Sequence, residues 1–141
     1  MNRSKNSILV IGDVMLDHYI EGSVSRISPE APVPVLRYKK DQYRLGGASN
    51  VALNLKGLSA NVGILGIVGN DNEGKIFNES LINEKINSHI IKIDSYTTIV
   101  KRRYVSKGHQ LIRVDYENQP SPAVITDLGK ALKDVVHHYS T

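Results

Sequence analysis

Three sets of residues in this chain have the types and spacing to do chemistry: a glycine pair, carboxylates that follow an apolar run, and two strips of cations. Gly46-Gly47 opens a helical pattern. Glycines there let a ligand approach the backbone, while the helix N-terminus offers free N–H groups and the positive end of a dipole. The same pair also serves as a tight packing turn, and Asn50, within the next turn, reads as a ligand contact or as a solvated helix residue. Asp13 and Asp17 follow the first apolar run, and open α/β sheets bind ligands outside the carboxyl ends of their strands. Either carboxylate is suited to orienting the hydroxyls of a sugar or to capping a turn.

The cations lie in two strips, Arg37, Lys39, Lys40 and Arg44, and then Lys101, Arg102, Arg103, Lys107 and Arg113. Such strips track a phosphate backbone, receive a small anion, or form solvated strand faces. With one Phe and no Trp there is little aromatic surface for stacking bases, although seven Tyr are present. No nucleic-acid partner is expected. Gly69-Asn70-Asp71-Asn72-Glu73-Gly74-Lys75 has the GxxxxGK spacing of a phosphate-binding loop, but Ile76 stands where a hydroxyl should hold magnesium. Asp71 and Glu73 would place negative charge where phosphates sit, so an ordinary capped helix start competes with that reading. The five His have no metal-ligand spacing, Cys is absent, and no GxSxG elbow places a nucleophile. No metal site is expected.

The elements that must position these groups follow from periodicity. The 141 residues, 40% hydrophobic and 23% charged with a formal charge of +4, suit at most one soluble domain or part of one. After a polar start at residues 1–7, Ile8 to Ile11 reads as a strand buried on both faces, and it is too short for a leader or a membrane span. A cytoplasmic location is expected. From Asp17 to Arg44 the pattern is irregular, with Pro29, Pro32 and Pro34 leaving only short extended pieces, as in an excursion from the main sheet. Ala48, Val51, Ala52, Leu55 and Leu58 predict a helix from the glycines to about Gly57, followed by a buried strand from Val62 to Val68.

Asn70 with Glu73 is spaced as a helix N-cap pair, and Ile76, Phe77, Ser80, Leu81 and Ile86 continue that helix into a strand at His89 to Ile93. Thr97 to Ser106 and Gln110 to Glu117 flank Lys107-Gly108-His109 and predict a hairpin. Alternation puts Arg113 and Asp115 side by side on one face, with Lys101 and Arg103 likewise neighbours. Ser121-Pro122 opens a last helix whose stripe is Ile125, Leu128, Leu132, Val135, Val136 and Tyr139. A helix of this kind normally hands over to a further parallel strand, so the chain is expected to be the first part of a longer protein.

Three blocks, Gly12-Asp13-Val14-Met15-Leu16-Asp17, the run SRISPEAPVPV from Ser25 to Val35, and Gly46-Gly47-Ala48-Ser49-Asn50-Val51-Ala52, resemble the N-terminal half of a PfkB or ribokinase-like sugar kinase. The middle block and Gln110-Leu111-Ile112-Arg113-Val114-Asp115 are most similar to the D-glycero-β-D-manno-heptose 7-phosphate kinases, which supply ADP-heptose for lipopolysaccharide. The resemblance implies an α/β fold, half of a doubly wound sheet with a small β-lid formed by about 17–44 and 97–117. It implies sugar-contacting roles for Asp17, Gly46, Gly47 and Asn50. Lys101 and Arg103 match the family's T-K-x-R strand, with Val100 intervening, and Arg113 and Asp115 match its QLIRxD strand, so these four are further substrate-binding positions. A sugar that carries a phosphate needs cationic partners, which gives the basic strips a purpose.

The resemblance also implies that the general-base Asp, its Gly-rich anion hole and most of the ATP site belong to a C-terminal half. ATP and Mg2+ are then cofactors of a parent enzyme, this chain alone is expected to be inactive, and a homodimer is expected through the β-lid. Two other readings stay open, a non-catalytic sugar-phosphate-binding or assembly module and a nucleotide-binding protein that uses Gly69 to Lys75.

Overall fold

The computed structural model describes residues 7–139. The polar residues 1–6 and the closing Ser140-Thr141 lie outside them. In chain order the elements are β1 (Ser7–Ile11), β2 (Val14–Ile27), β3 (Pro34–Gly47), α1 (Ala48–Gly57), β4 (Asn61–Gly69), α2 (Asn72–Asn83), β5 (Asn87–Ile93), β6 (Val100–Ser106), β7 (His109–Tyr116) and α3 (Pro122–Val135). A short 3-10 turn, Val136–His138, follows α3. The strands form two sheets, a parallel one ordered β1-β4-β5 and a mixed one ordered β3-β2-β6-β7. No helix among the described residues is long and apolar enough to cross a membrane.

The parallel sheet is built around β4, the one strand of the three with partners on both edges. Its Val62, Ile64 and Val68 pack with Ala52 of α1 and with Phe77 and Leu81 of α2. On its opposite face Gly63 backs onto the Tyr139 phenol, beyond α3. Helices therefore cover both faces, as in a doubly wound sheet. The burial predicted for the first strand belongs to β4 instead. Ile8, Leu9 and Val10 of β1 are only half-buried, because β1 pairs along one edge.

The irregular span 17–44 is the largest departure from the sequence reading. It holds most of two 14-residue strands, β2 and β3, joined as a long antiparallel hairpin. The prolines break neither strand: Pro29 and Pro32 lie in the connection, and Pro34 opens β3 opposite Ile27, where a missing N–H is tolerated. Alternation is clear in β2, where Val14, Leu16, Ile20 and Val24 oppose Asp17, Tyr19 and Glu21, but β3 is polar on both faces and its register shifts opposite Glu21/Gly22. Strand β2 also pairs in parallel with β6, which places the second hairpin beside the first. The β6–β7 turn uses Lys107 and Gly108, both with positive φ (49° and 80°), the form that suits a two-residue hairpin.

The roots of this second sheet are buried in the common core: Val14 and Leu16 of β2, Leu45 of β3 and Val100 of β6 join the residues of β4 and α2. Two smaller corrections concern helix ends. Asp71, rather than Asn70, caps α2 by accepting from the Gly74 amide. In α3 the Ser121 cap and Pro122 stand as predicted, but Val124 is buried, while Ile125 and Val136 of the predicted stripe are 56% and 42% exposed. The inward face of α3 is Val124, Leu128, Ala131, Leu132 and Val135.

Candidate functional site

Strand alternation and register bring five of the predicted residues onto one face of the mixed sheet. Asp17 of β2 is opposite Lys101 of β6, which is opposite Asp115 of β7, while Arg103 is opposite Arg113 one step along. Ion pairs link them. Arg103 donates to Asp17 Oδ1 at 2.6 Å, Lys101 Nζ lies 3.0 Å from Asp115 Oδ2, and Arg113 Nε lies 2.9 Å from Asp115 Oδ1. Lys101 also reaches Glu117 at 3.4 Å. The hydrogen bond from Lys101, reinforced by Arg113, holds the Asp115 carboxyl below the usual carboxylate range. These cations are thus matched by carboxylates, so the face is an alternating charge array and not the uniformly basic strip that composition suggested.

The glycine pair lies against the Asp17 end of this array. Met15 is opposite Gly46, and a Cβ at Gly46 would stand 2.6 Å from Asp17 Oδ2. Only a residue without a side chain leaves room for that carboxylate. Gly47 is the N-cap of α1 with φ 58°, a conformation that favours glycine, and it supplies no side-chain cap. The Ala48 amide is taken by the Asp13 carbonyl at 2.9 Å. Ser49, fully buried, turns its hydroxyl back to the Gly46 carbonyl and fixes the turn. The resulting corner presents a carboxylate, a bare backbone and a helix N-terminus together, a combination suited to holding polyhydroxylated ligands.

Asn50 is exposed and outside this ion-pair network. It lines a groove with Tyr43, Arg44, Leu53, Ser80, Asn83 and Glu84, on the side toward α2. Asp13, the other strand-end carboxylate, borders a separate cleft of about 490 Å³ with Tyr96, Ile99, Glu117 and Gln119.

The segment Gly69 to Lys75 does not fit a nucleotide phosphate. The Gly74 amide is bound to Asp71 Oδ1 at 2.7 Å and the Gly69 amide to the Thr98 hydroxyl at 2.9 Å, so both glycine N–H groups of the loop are already satisfied. Asp71 Oδ2 accepts from the Thr98 amide, and Oδ1 also accepts from the Thr98 hydroxyl. Burial works to raise the Asp71 pKa, but these hydrogen bonds outweigh it and leave the carboxyl below its ordinary range. The loop is a clamp that ties the start of α2 to the segment entering β6.

Sequence reasoning missed two members of the charged face and one support. Tyr19 follows Asp17 on the same face of β2, with the Arg44 guanidinium 4.8 Å and the Arg103 guanidinium 5.6 Å from its ring centre. Arg44 was read only as part of a basic strip, although its pairing opposite Asp17 follows once β2 and β3 are known to be a hairpin. Ser49 carried a local signal, a hydroxyl three residues after a glycine at a helix start.

Comparison with known proteins gives a consistent picture. The pfkB family carbohydrate kinase pattern matches residues 5–135. The chain is 46% identical over 132 residues to the bifunctional protein HldE of Actinobacillus succinogenes, covering 91% of this chain and 28% of that protein. With HldE of Haemophilus ducreyi it shares 49% over 110 residues, 78% of this chain and 23% of the relative. The chain therefore spans less than a third of the length of these relatives. Among solved structures, the fold is similar to a phosphofructokinase-like protein of Staphylococcus aureus (TM-score 0.70, 19% identity, 91% of this chain and 39% of that one). It is also similar to ribokinase of Giardia lamblia (TM-score 0.63, 20% identity, 88% of this chain and 41% of that one).

Proposed function

The chain belongs to the pfkB family of carbohydrate kinases, and from that premise we propose that it is the sugar-binding part of an enzyme that phosphorylates D-glycero-β-D-manno-heptose 7-phosphate at the anomeric hydroxyl. The observation that carries this reading is the corner where Asp17, held by Arg103, lies over Gly46 at the start of α1. Asp17 accepts hydrogen bonds from sugar hydroxyls, Gly46 and Gly47 let the ring approach the backbone, and Arg103 keeps the carboxylate aimed. Lys101, Arg113 and Asp115 line the same face with alternating donors and acceptors, and Asn50 is a further contact on the α1 side. In the parent enzyme ATP with Mg2+ supplies the phosphoryl group. This chain contributes recognition and exclusion of water, because aligning nucleophile, nucleotide and metal needs groups beyond these.

The test is calorimetry of the 141-residue chain with heptose 7-phosphate, alongside Asp17→Ala and Arg113→Ala. Affinity lost at least tenfold in Asp17→Ala and weakened in Arg113→Ala is the expected result, and unchanged affinity in both removes the assignment. With ATP and Mg2+ present, the chain alone is expected to form no product.

We also infer pairing of two copies through the other face of the mixed sheet. Val33, Leu36, Tyr104, Leu111, Ile112 and Val114 border an apolar depression of about 460 Å³ there, and Ile112 is 58% exposed. Sedimentation equilibrium is expected to give a dimer that Ile112→Lys dissociates. The same patch favours the reading of a sugar-phosphate-binding assembly module should the parent lack kinase activity.

A further inference from the structure

Around the Asp17–Gly46 corner the charged face carries Lys40, Arg44, Lys101, Arg103 and Arg113, with Arg37 farther along β3 opposite Ser23, and among the described residues Lys40, Lys101, Arg103 and Arg113 have a carboxylate partner. Lys40 pairs with Glu21 at 3.2 Å, Arg103 with Asp17, and Lys101 and Arg113 share Asp115. Arg44 forms no ion pair with a described residue. Its guanidinium is instead laid over Tyr19, on a ring that Arg103 also approaches. Two guanidinium groups directed at one phenol ring, with a single carboxylate between them, leave an uncompensated positive charge.

Its position matters as much as its charge. Arg44 is two residues before Gly46 on β3, on the same face, about 7 Å along the strand, and it is opposite Asp17 in the register. A sugar ring held at the Asp17–Gly46 corner would extend an exocyclic substituent toward this group. Lys101 and Arg113 are poorer seats for a phosphate, because it would have to displace Asp115 and Glu117 and then lie beside both carboxylates.

We propose that Arg44, braced on Tyr19, is the seat of the substrate's phosphate and the residue that makes the site prefer a phosphorylated sugar over a free one. The planar fork of Arg matches two phosphate oxygens, and stacking on Tyr19 sets its orientation before the ligand arrives. This assignment rests on the sugar-binding reading of Asp17 given above.

The experiment measures affinity for heptose 7-phosphate and for unphosphorylated heptose with the wild-type chain, Arg44→Gln, Arg44→Lys and Asp17→Asn. The Arg44 side chain is exposed, so thermal melts of its variants are expected to overlay the wild type. Arg44→Gln is expected to weaken the phosphorylated sugar tenfold or more and leave the free sugar unchanged, with Arg44→Lys in between because it keeps the charge and loses the fork. An unchanged preference in Arg44→Gln, or an equal loss for both sugars, overturns the assignment while Asp17→Asn still weakens both. If Asp17→Asn leaves both affinities unchanged, or the wild type binds neither sugar, the sugar-binding reading itself fails and takes this assignment with it.

Discussion

The two sheets of this protein solve opposite problems with the same strand geometry. In the parallel sheet, β4 buries nearly every side chain, and its strength is apolar packing against α1 and α2. In the mixed sheet, β7 leaves almost every residue exposed, and its charged face is held by ion pairs among Asp17, Lys101, Arg103, Arg113 and Asp115. Exposed and half-exposed ion pairs contribute little to folding, commonly about 0–1 kcal/mol each, whereas a buried aromatic contributes several times that. The contrast places apolar packing in one sheet and a solvent-facing charged array on the other, joined where Val14, Leu16, Leu45 and Val100 root the second in the core of the first.

The largest test of that division is Phe77→Ala. Phe77 is fully buried, and its truncation is expected to cost about 3–5 kcal/mol in urea unfolding, enough to unfold a marginal domain. Asp71→Ala probes the joint between the sheets. It removes the α2 cap and the acceptor for Thr98, with an expected cost of about 1–3 kcal/mol and greater hydrogen exchange in β6 than in β4. A loss of protection spread evenly over both sheets would mean that the clamp is not a joint.

Mild acid gives a smaller effect through His89 of the parallel sheet. Burial, with the charge of nearby His138, pushes the His89 pKa down, and its Nε2 lies 2.7 Å from the Tyr139 hydroxyl. Folding then disfavours the protonated ring. The stability contribution is complete above about pH 6.5, the unfolded value, and is lost as pH falls through the lower folded value. The urea midpoint is expected to drop between pH 7.5 and pH 5, with a shallower drop in His89→Gln. The smallest expected change is in Leu111→Thr on β7, within about 0.5 kcal/mol of wild type. A cost close to that of Phe77→Ala would break the comparison.

Much of the parallel sheet was legible in sequence for the reason that it is stable. The run around Val62 to Val68, the helix after Gly46-Gly47 and the Ser121-Pro122 start all follow from short-range pattern and capping. Strands β2 and β3 were not read as strands. In β2 the alternation is present, with Val14, Leu16, Ile20 and Val24 on one face and Asp17, Tyr19 and Glu21 on the other, but β3 carries polar residues on both faces, and three prolines near one turn suggested irregularity where long strands run. For α2, spacing pointed to Asn70, whereas the contact with Thr98, 27 positions away, favours Asp71.

By itself the sequence determined the family, the alternation of helices with parallel strands, and which residue types face together within each strand of the β6–β7 hairpin, because all of these depend on neighbours a few positions apart. Only the tertiary structure decided that Arg103 meets Asp17 from 86 positions away, that Asp115 pairs with both Lys101 and Arg113, and that Arg44 lies over Tyr19 without a carboxylate partner among the described residues. Charge pairing is set by the register between strands, and that register is fixed by where the buried roots of the strands pack, which no local pattern encodes.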